Sequence, residues 1–173
     1  MKIHVVLYEP EIPQNTGNIA RTCVAFNIVL HLIRPYGFIL SDKKLKRAGV
    51  DYWKYLKLYQ HDCWNDFIKI LTRNDCLYFF TRYGKKNLYN IKNIKNKYKN
   101  IYLIFGKESI GLPKEILLNN INNCLRIPIC KNVRALNVSN CVAIGCYHFM
   151  QLLNFPKLEK LDLYKIDYLG NNV

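Results

Sequence analysis

Apolar and polar residues divide the chain into two kinds of segment. Apolar runs of strand length occur at Ile3–Tyr8, Val29–Ile33, Leu77–Thr81, Ile101–Phe105 and Cys124–Ile127. Stretches with helical character lie at Asn18–Phe26, Trp64–Leu71, Lys114–Asn119 and Ser139–Asn154. Alternating strands and helices are typical of an α/β fold with a mainly parallel sheet and helices on both faces. We therefore predict one domain spanning residues 1–173.

The last predicted helix differs from the others because it is apolar almost all round. Its apolar residues are Val142, Ile144, Cys146, Phe149, Met150, Leu152 and Leu153. A helix without a polar face is buried on several sides, which a small domain achieves most simply with a second copy of itself. The pattern predicts a homodimer through this C-terminal helix.

The charge balance indicates a polyanionic partner. Lysine and arginine number 26 against 12 acidic residues, giving a net charge of +14. Such an excess attracts nucleic acid or an anionic membrane surface. The longest apolar stretches are only strand-length and the first residues run straight into a strand, so we expect no membrane span, no export and a cytoplasmic protein.

Cysteine usage agrees with a reducing compartment and offers no metal site. The seven cysteines are scattered through apolar segments, with neither a C-x-x-C pair nor a nearby histidine cluster. We expect free thiols and no metal. The lysine- and asparagine-rich segment Tyr83–Asn100 lies between two strands and is interpreted as an exposed insert.

Three loops carry more polar residues and glycines than a simple connection needs. The first, Glu9–Arg21, has two prolines, Asn15 and Gly17 before a predicted helix start at Asn18, and Arg21 one turn into the helix. It lacks the glycines of a dinucleotide-binding fingerprint. This absence argues against a nucleotide-cofactor oxidoreductase, which strand–helix alternation alone would allow.

The other two loops follow later strands. In Leu103–Pro113 a buried strand ends at Gly106, Glu108 follows, and Gly111 precedes a proline suited to a first helical turn. We expect the glycines to leave room for a ligand against the main chain, at the sheet edge where α/β folds bind ligands. In Arg126–Asn140, Asn137 or Ser139 is available to cap the apolar last helix.

The three loops resemble the three motifs of the SPOUT superfamily of RNA 2′-O-ribose methyltransferases. The matching stretches are NTGNIAR at Asn15–Arg21, FGKESIGLP at Phe105–Pro113 and RIPICKNVRALNVSN at Arg126–Asn140. The opening LYEPEIPQNTGN and RAGVDY at Arg47–Tyr52 are similar to the minimal bacterial enzymes that methylate a wobble cytidine or uridine of tRNA. The resemblance implies a C-terminal deep trefoil knot and S-adenosylmethionine as methyl donor.

The resemblance also implies site residues. The donor site would comprise Phe80, Thr81, Gly106, Ile127, Ala135, Leu136 and Asn137. Ala135 departs from the family, which usually has serine there, so one hydrogen bond to the donor is expected to be lost.

On the substrate side, Arg21 would be the catalytic residue. Because the guanidinium of arginine is a poor base, we expect Arg21 to bind phosphate and orient the ribose. The tRNA anticodon region would be bound by Asn15, Lys44, Arg47, Arg134 and Tyr147. Glu108 is expected to hold its loop by accepting backbone amides. A related enzyme acting on ribosomal RNA, or a non-catalytic RNA-binding homologue, stays open at this stage.

Overall fold

Seven parallel strands form a single sheet in the computed structural model, which describes residues 1–40, 52–94 and 98–159. The sheet order is β3-β2-β1-β6-β4-β7-β5. The strands are β1 (Lys2–Tyr8), β2 (Val29–Ile33), β3 (Leu58–His61), β4 (Asp75–Phe80), β5 (Lys86–Asn87), β6 (Asn100–Phe105) and β7 (Cys124–Arg126). The predicted α/β class with a parallel sheet is confirmed, and the knot stays a prediction of the resemblance.

Helices cover both faces of the sheet, as predicted. The α-helices are α1 (Pro13–Ala25), α2 (Trp64–Lys69), α3 (Lys114–Leu118) and α4 (Val138–Leu152), and short 3-10 helices span Trp53–Tyr55, Leu88–Asn90 and Ile121–Asn123. Ile19 of α1 and Phe149 of α4 share one core cluster with β1, β2 and β6. Phe67 of α2 anchors a second cluster on the other face, against which Ile116 and Leu117 of α3 pack.

Two expectations about local structure were wrong. Helix α1 starts at Pro13 rather than Asn18, with proline in its first turn, so Asn15 and Gly17 lie inside the helix and are buried. The segment Tyr83–Asn100 is more than an exposed insert, because Lys86–Asn87 pairs with β7 and the Leu88 side chain is buried in the core.

Helix α4 has one buried face and one exposed face in a single copy of the chain, so burial of the second face by a partner copy stays a prediction. Val142, Cys146 and Phe149 are buried. Ile144 and Tyr147 lie on the other side of the helix and are 41% and 53% exposed. The apolar character of this helix therefore leaves an apolar surface facing solvent.

Three histidines form a hydrogen-bonded ladder across β1, β2 and β3. His4 Nδ1 lies 2.9 Å from His31 Nε2, and His31 Nδ1 lies 2.9 Å from His61 Nε2. Phe67 and Tyr102 pack edge-on against His31. Burial lowers the pKa of His4 to about 4 and that of His31 to about 3, and it also lowers the pKa of His61. The three rings are therefore neutral at physiological pH.

The carboxyl ends of β4, β6 and β7 lie side by side at one end of the sheet. Phe80 is in register with Phe105 of β6 and with Leu125 of β7, so these strands end together. The loops that follow all three strands therefore meet at the same place.

Within the described ranges, none of the helices is long and apolar enough to span a membrane.

Candidate functional site

A cavity of about 470 Å³ lies at the carboxyl ends of β4, β6 and β7. Its volume is in the range of small-molecule and cofactor sites, about 300–1,000 Å³. The residues expected to bind the methyl donor all line it, namely Phe80, Thr81, Gly106, Ile127, Ala135, Leu136 and Asn137. Residues far apart in the sequence are thus brought together at one cavity, and their binding of the donor stays a prediction.

The floor of this cavity is aromatic and closely packed. The rings of Phe80 and Phe105 stack with their centroids 4.4 Å apart. Gly145 of α4 lies directly against this stack, since a Cβ there would come within 2.8 Å of the Phe80 ring. Leu125 and Ile127 complete an apolar wall suited to a flat heteroaromatic group.

A reciprocal clasp joins the loop before α1 to the loop after β6. The Glu108 carboxylate accepts the Glu11 amide at 2.9 Å, the Ile12 amide at 3.3 Å and the Asn15 side-chain amide at 2.9 Å. In return, the Glu11 carboxylate accepts the Ser109 amide at 2.9 Å and its hydroxyl at 2.8 Å. These bonds from Ser109 lower the pKa of Glu11. The predicted role of Glu108 in accepting backbone amides is confirmed.

Asn15 extends this clasp to the third loop. Its Oδ1 accepts the Asn137 side-chain amide at 3.0 Å, while its own Nδ2 donates to Glu108. Asn137 Oδ1 accepts the Ser139 amide at 2.8 Å, which makes Asn137 the predicted cap of α4. Because Asn15 is only 6% exposed and both amide atoms bond to protein, these contacts favour a structural tie over the expected contact with substrate.

Gly106 is required by the turn itself. A Cβ at this position would lie 2.2 Å from the Gly111 carbonyl carbon and 2.3 Å from the Leu112 nitrogen. Gly111 has a φ of +79°, a conformation that favours glycine. The expectation that Gly106 leaves space for a ligand is thus corrected, because the backbone of Gly111 and Leu112 fills that space.

The predicted residues Arg134, Arg21 and Tyr147 lie in two places. Arg134 lines the donor cavity. Arg21 and Tyr147 instead line an apolar groove of about 890 Å³ between α1 and α4, where the Arg21 guanidinium carbon lies 4.9 Å from the centre of the Tyr52 ring. Lys44 and Arg47 lie outside the described residues.

Arg82 and Tyr83 line the cavity beside Thr81 but were not among the site residues predicted from the sequence. Their position immediately after a buried strand was the available signal. Within the ranges that the structure describes, no cluster of three or more His, Cys, Asp or Glu side chains is arranged to hold a metal ion.

Several proteins that are similar to this chain in sequence or structure are named or described as RNA methyltransferases. A protein of Geobacillus stearothermophilus, named provisionally as a tRNA (cytidine(34)-2′-O)-methyltransferase, is 48% identical over 159 residues, covering 92% of this chain and 100% of that protein. A solved structure from work on 2-OH methylation of C/U34 on tRNA is 43% identical, with a TM-score of 0.82 over 88% of this chain and 97% of that chain.

A crystal structure from Bacillus anthracis, described provisionally as an RNA methyltransferase, has a TM-score of 0.84 and 44% identity over 93% of this chain and 99% of that chain. The sequence profile of the SpoU rRNA methylase family matches residues 2–147. The chain therefore belongs to the SpoU rRNA methylase family.

Proposed function

We propose that this chain transfers a methyl group from S-adenosylmethionine to the ribose 2′-hydroxyl of the wobble nucleotide of cytoplasmic tRNA, a cytidine or modified uridine. The observation that carries the proposal is the cavity formed by the loops after β4, β6 and β7, which all seven expected donor residues line. Relatives matched over 97–100% of their own length are named or described for this reaction at tRNA position 34.

The residues of the cavity suit this donor. The apolar wall of Phe80, Leu125 and Ile127 matches an adenine ring, and Ala135 and Leu136 line the same cavity, where their main chain would meet the polar edge of that ring. When bound, S-adenosylmethionine supplies an electrophilic methyl group on a sulfonium. The protein's task is then to hold the ribose oxygen in line with that methyl group, and positioning alone supplies much of the rate.

Arg21 is the residue that we assign to the RNA ribose and its phosphate. The guanidinium of arginine presents several hydrogen-bond donors in a plane, which suits phosphate binding better than proton removal. In a single copy, however, Arg21 lines the α1–α4 groove and not the donor cavity. We therefore propose that Arg21 acts beside the donor of a second copy of the chain.

The α1–α4 groove is the surface that we propose for this homodimer. It exposes Ile144 and Tyr147 and is lined further by Ala25 and Phe26 at the end of α1. Ile127 lines both this groove and the donor cavity, so the two sites adjoin. Pairing through the groove would cover the apolar face of α4 and bring the partner subunit's Arg21 close to the donor.

The proposal is tested by incubating the protein with labelled S-adenosylmethionine and bulk tRNA and then mapping the labelled nucleoside. Label in a 2′-O-methylated ribose at the wobble position is the expected result. Label in a base, or transfer to ribosomal RNA alone, would refute the substrate assignment. Calorimetry without detectable uptake of S-adenosylmethionine by the folded protein would refute the enzyme assignment.

Two variants separate the roles of donor binding and RNA positioning. Arg21→Ala is expected to abolish methyl transfer and leave the affinity for S-adenosylmethionine within about twofold. Arg73→Ala removes an exposed arginine at the opposite end of β4 and is the matched control, expected to keep full activity. Equal activity in both variants would remove Arg21 from the mechanism.

The proposed dimer surface is tested by sedimentation. The wild type is expected to sediment as a dimer and the Ile144→Glu variant as a monomer.

A further inference from the structure

We infer that Tyr83 and Arg82 form a stacking subsite for the nucleobase of the target nucleotide, at the mouth of the donor cavity. The inference rests on the proposed function, because it names how that RNA nucleotide is held. It starts from two exposed side chains that line the cavity and were not assigned above to donor binding.

The turn that carries these side chains is fixed to the sheet. The Thr81 amide donates to the Leu125 carbonyl of β7 at 3.0 Å, and the Gly84 amide donates to the Thr81 carbonyl at 3.2 Å. A Cβ on Gly84 would lie 2.7 Å from the Leu125 carbonyl carbon, so the turn packs directly on β7. Arg82 and Tyr83 are thus carried by a turn that is hydrogen-bonded to β7 and lines the donor cavity.

The Tyr83 ring is arranged as a stacking platform. The Arg82 guanidinium carbon lies 4.7 Å from the centre of the ring, and the same guanidinium donates a hydrogen bond to the Tyr83 hydroxyl. Even with this partner the residue is 66% exposed. The cation holds the ring from one side and leaves most of its surface available to a ligand.

A nucleobase suits this surface better than any part of the donor. RNA-binding proteins stack unpaired bases on exposed aromatic rings and place cations beside them for the phosphates. The adenine of the donor already has the aromatic floor of the cavity to pack on, formed by Phe80 and Phe105, which are 8% and 2% exposed. The Tyr83 ring at the cavity mouth is therefore positioned for the RNA nucleotide, which enters from solvent. The unstacked base would lie on this ring while its ribose reaches the methyl group.

Photo-crosslinking tests the subsite without requiring turnover. An anticodon stem-loop with 5-iodouridine at the wobble position is irradiated with the full chain and S-adenosylhomocysteine, and the crosslinked peptide is mapped by mass spectrometry. A crosslink at Tyr83 is expected, and Tyr83→Ala should abolish it. A crosslink that maps to another aromatic residue would overturn the inference.

Kinetics provide the second measurement. Tyr83→Ala is expected to lower kcat/KM for tRNA by about 10- to 100-fold, the range typical of losing one base–aromatic stack. Tyr83→Phe should retain activity within about threefold, because it keeps the ring. Arg82→Ala should weaken tRNA binding and make it less dependent on salt. In each variant the Kd for S-adenosylmethionine should stay within about twofold of the wild-type value.

Tyr55 offers a matched control. It is 64% exposed and carries a lysine 5.0 Å from its ring centre, but it does not line the donor cavity. Tyr55→Ala should leave kcat/KM unchanged, and an equal loss in Tyr55→Ala and Tyr83→Ala would overturn the inference. A parallel loss of donor affinity in Tyr83→Ala would do so as well, by assigning the ring to the donor site.

The two proposals fail separately. A wild-type protein that methylates the wobble ribose but crosslinks elsewhere refutes the subsite and leaves the proposed function intact. A wild-type protein that crosslinks through Tyr83 but transfers no methyl group refutes the function and supports the subsite.

Discussion

Lowering the pH from 7 to 5 is expected to destabilise the folded protein through the histidine ladder of β1, β2 and β3. His4, His31 and His61 are 9%, 2% and 8% exposed. In their neutral form, one consistent set of tautomers supplies an N–H and an acceptor nitrogen to each of the two hydrogen bonds. Protonation would place positive charge on buried rings, and burial opposes that charge more than nearby carboxylates such as Asp75 favour it.

The size of the effect follows from the shifted pKa values. The pKa of His4 is lowered to about 4 and that of His31 to about 3, whereas unfolded histidine titrates near 6.5. Below pH 6.5 the unfolded chain therefore binds protons that the folded chain excludes, so the free energy of unfolding falls as the pH drops toward 4. Between pH 7 and pH 5 these two histidines together lower it by about 4 kcal/mol.

Urea unfolding followed by circular dichroism at pH 7, 6 and 5 measures this loss. In His31→Phe the loss between pH 7 and pH 5 should shrink to about 2 kcal/mol, because one shifted group is removed. Phe67→Leu is the control, since it weakens the packing against the ladder but removes no titrating group. Its stability should be lower at both pH values, with the wild-type difference between them. The same acid-induced loss in wild type and His31→Phe would refute the reasoning.

Three substitutions test the donor site. Gly106→Ala places a Cβ 2.2 Å from the Gly111 backbone. Calorimetry should show an affinity for S-adenosylmethionine that is at least about tenfold weaker. An unchanged affinity would contradict the close packing of Gly106 against Gly111. Glu108→Gln replaces one of the two carboxylate oxygens with an N–H donor, so either the Glu11 amide or the Ile12 and Asn15 amides lose their acceptor. Urea unfolding should show a loss of about 1–3 kcal/mol, and an unchanged free energy of unfolding would contradict the role of Glu108. Ala135→Ser restores the hydroxyl usual in the family and should tighten donor binding by about 2- to 12-fold, whereas weaker binding would show that the hydroxyl has no partner there.

The strands could be predicted where burial alone determines them. β1, β2, β4, β6 and β7 correspond to the five apolar runs, because strands buried on both faces need continuous apolar sequence. β3 and β5 were missed because they lie at the two edges of the sheet. β3 has exposed residues at Tyr59 and Gln60, and β5 is a strand of two residues defined only by its pairing with β7.

The start of α1 could not be predicted from local sequence. Asn18 is a favourable capping residue, which made it the expected start. The structure instead begins the helix at Pro13, and the amides of Glu11 and Ile12 just before it are bound by the Glu108 carboxylate. This acceptor is 97 residues from Glu11 along the chain, so the helix propensity of the local sequence could not indicate it.

The same long-range contacts explain why the site could be predicted from the three loops taken together and not from any one of them. Asn15 binds Glu108 across 93 residues and Asn137 across 122, so one buried side chain joins the first, second and third loops. Each loop alone has an ordinary explanation, since glycine serves a turn and asparagine caps a helix. An asparagine with both amide atoms engaged by two other loops fixes their relative positions, and the donor cavity exists only where all three meet. A change at Asn15 should therefore weaken donor binding although its side chain is occupied by protein partners, which distinguishes a tie between loops from a residue that contacts the RNA.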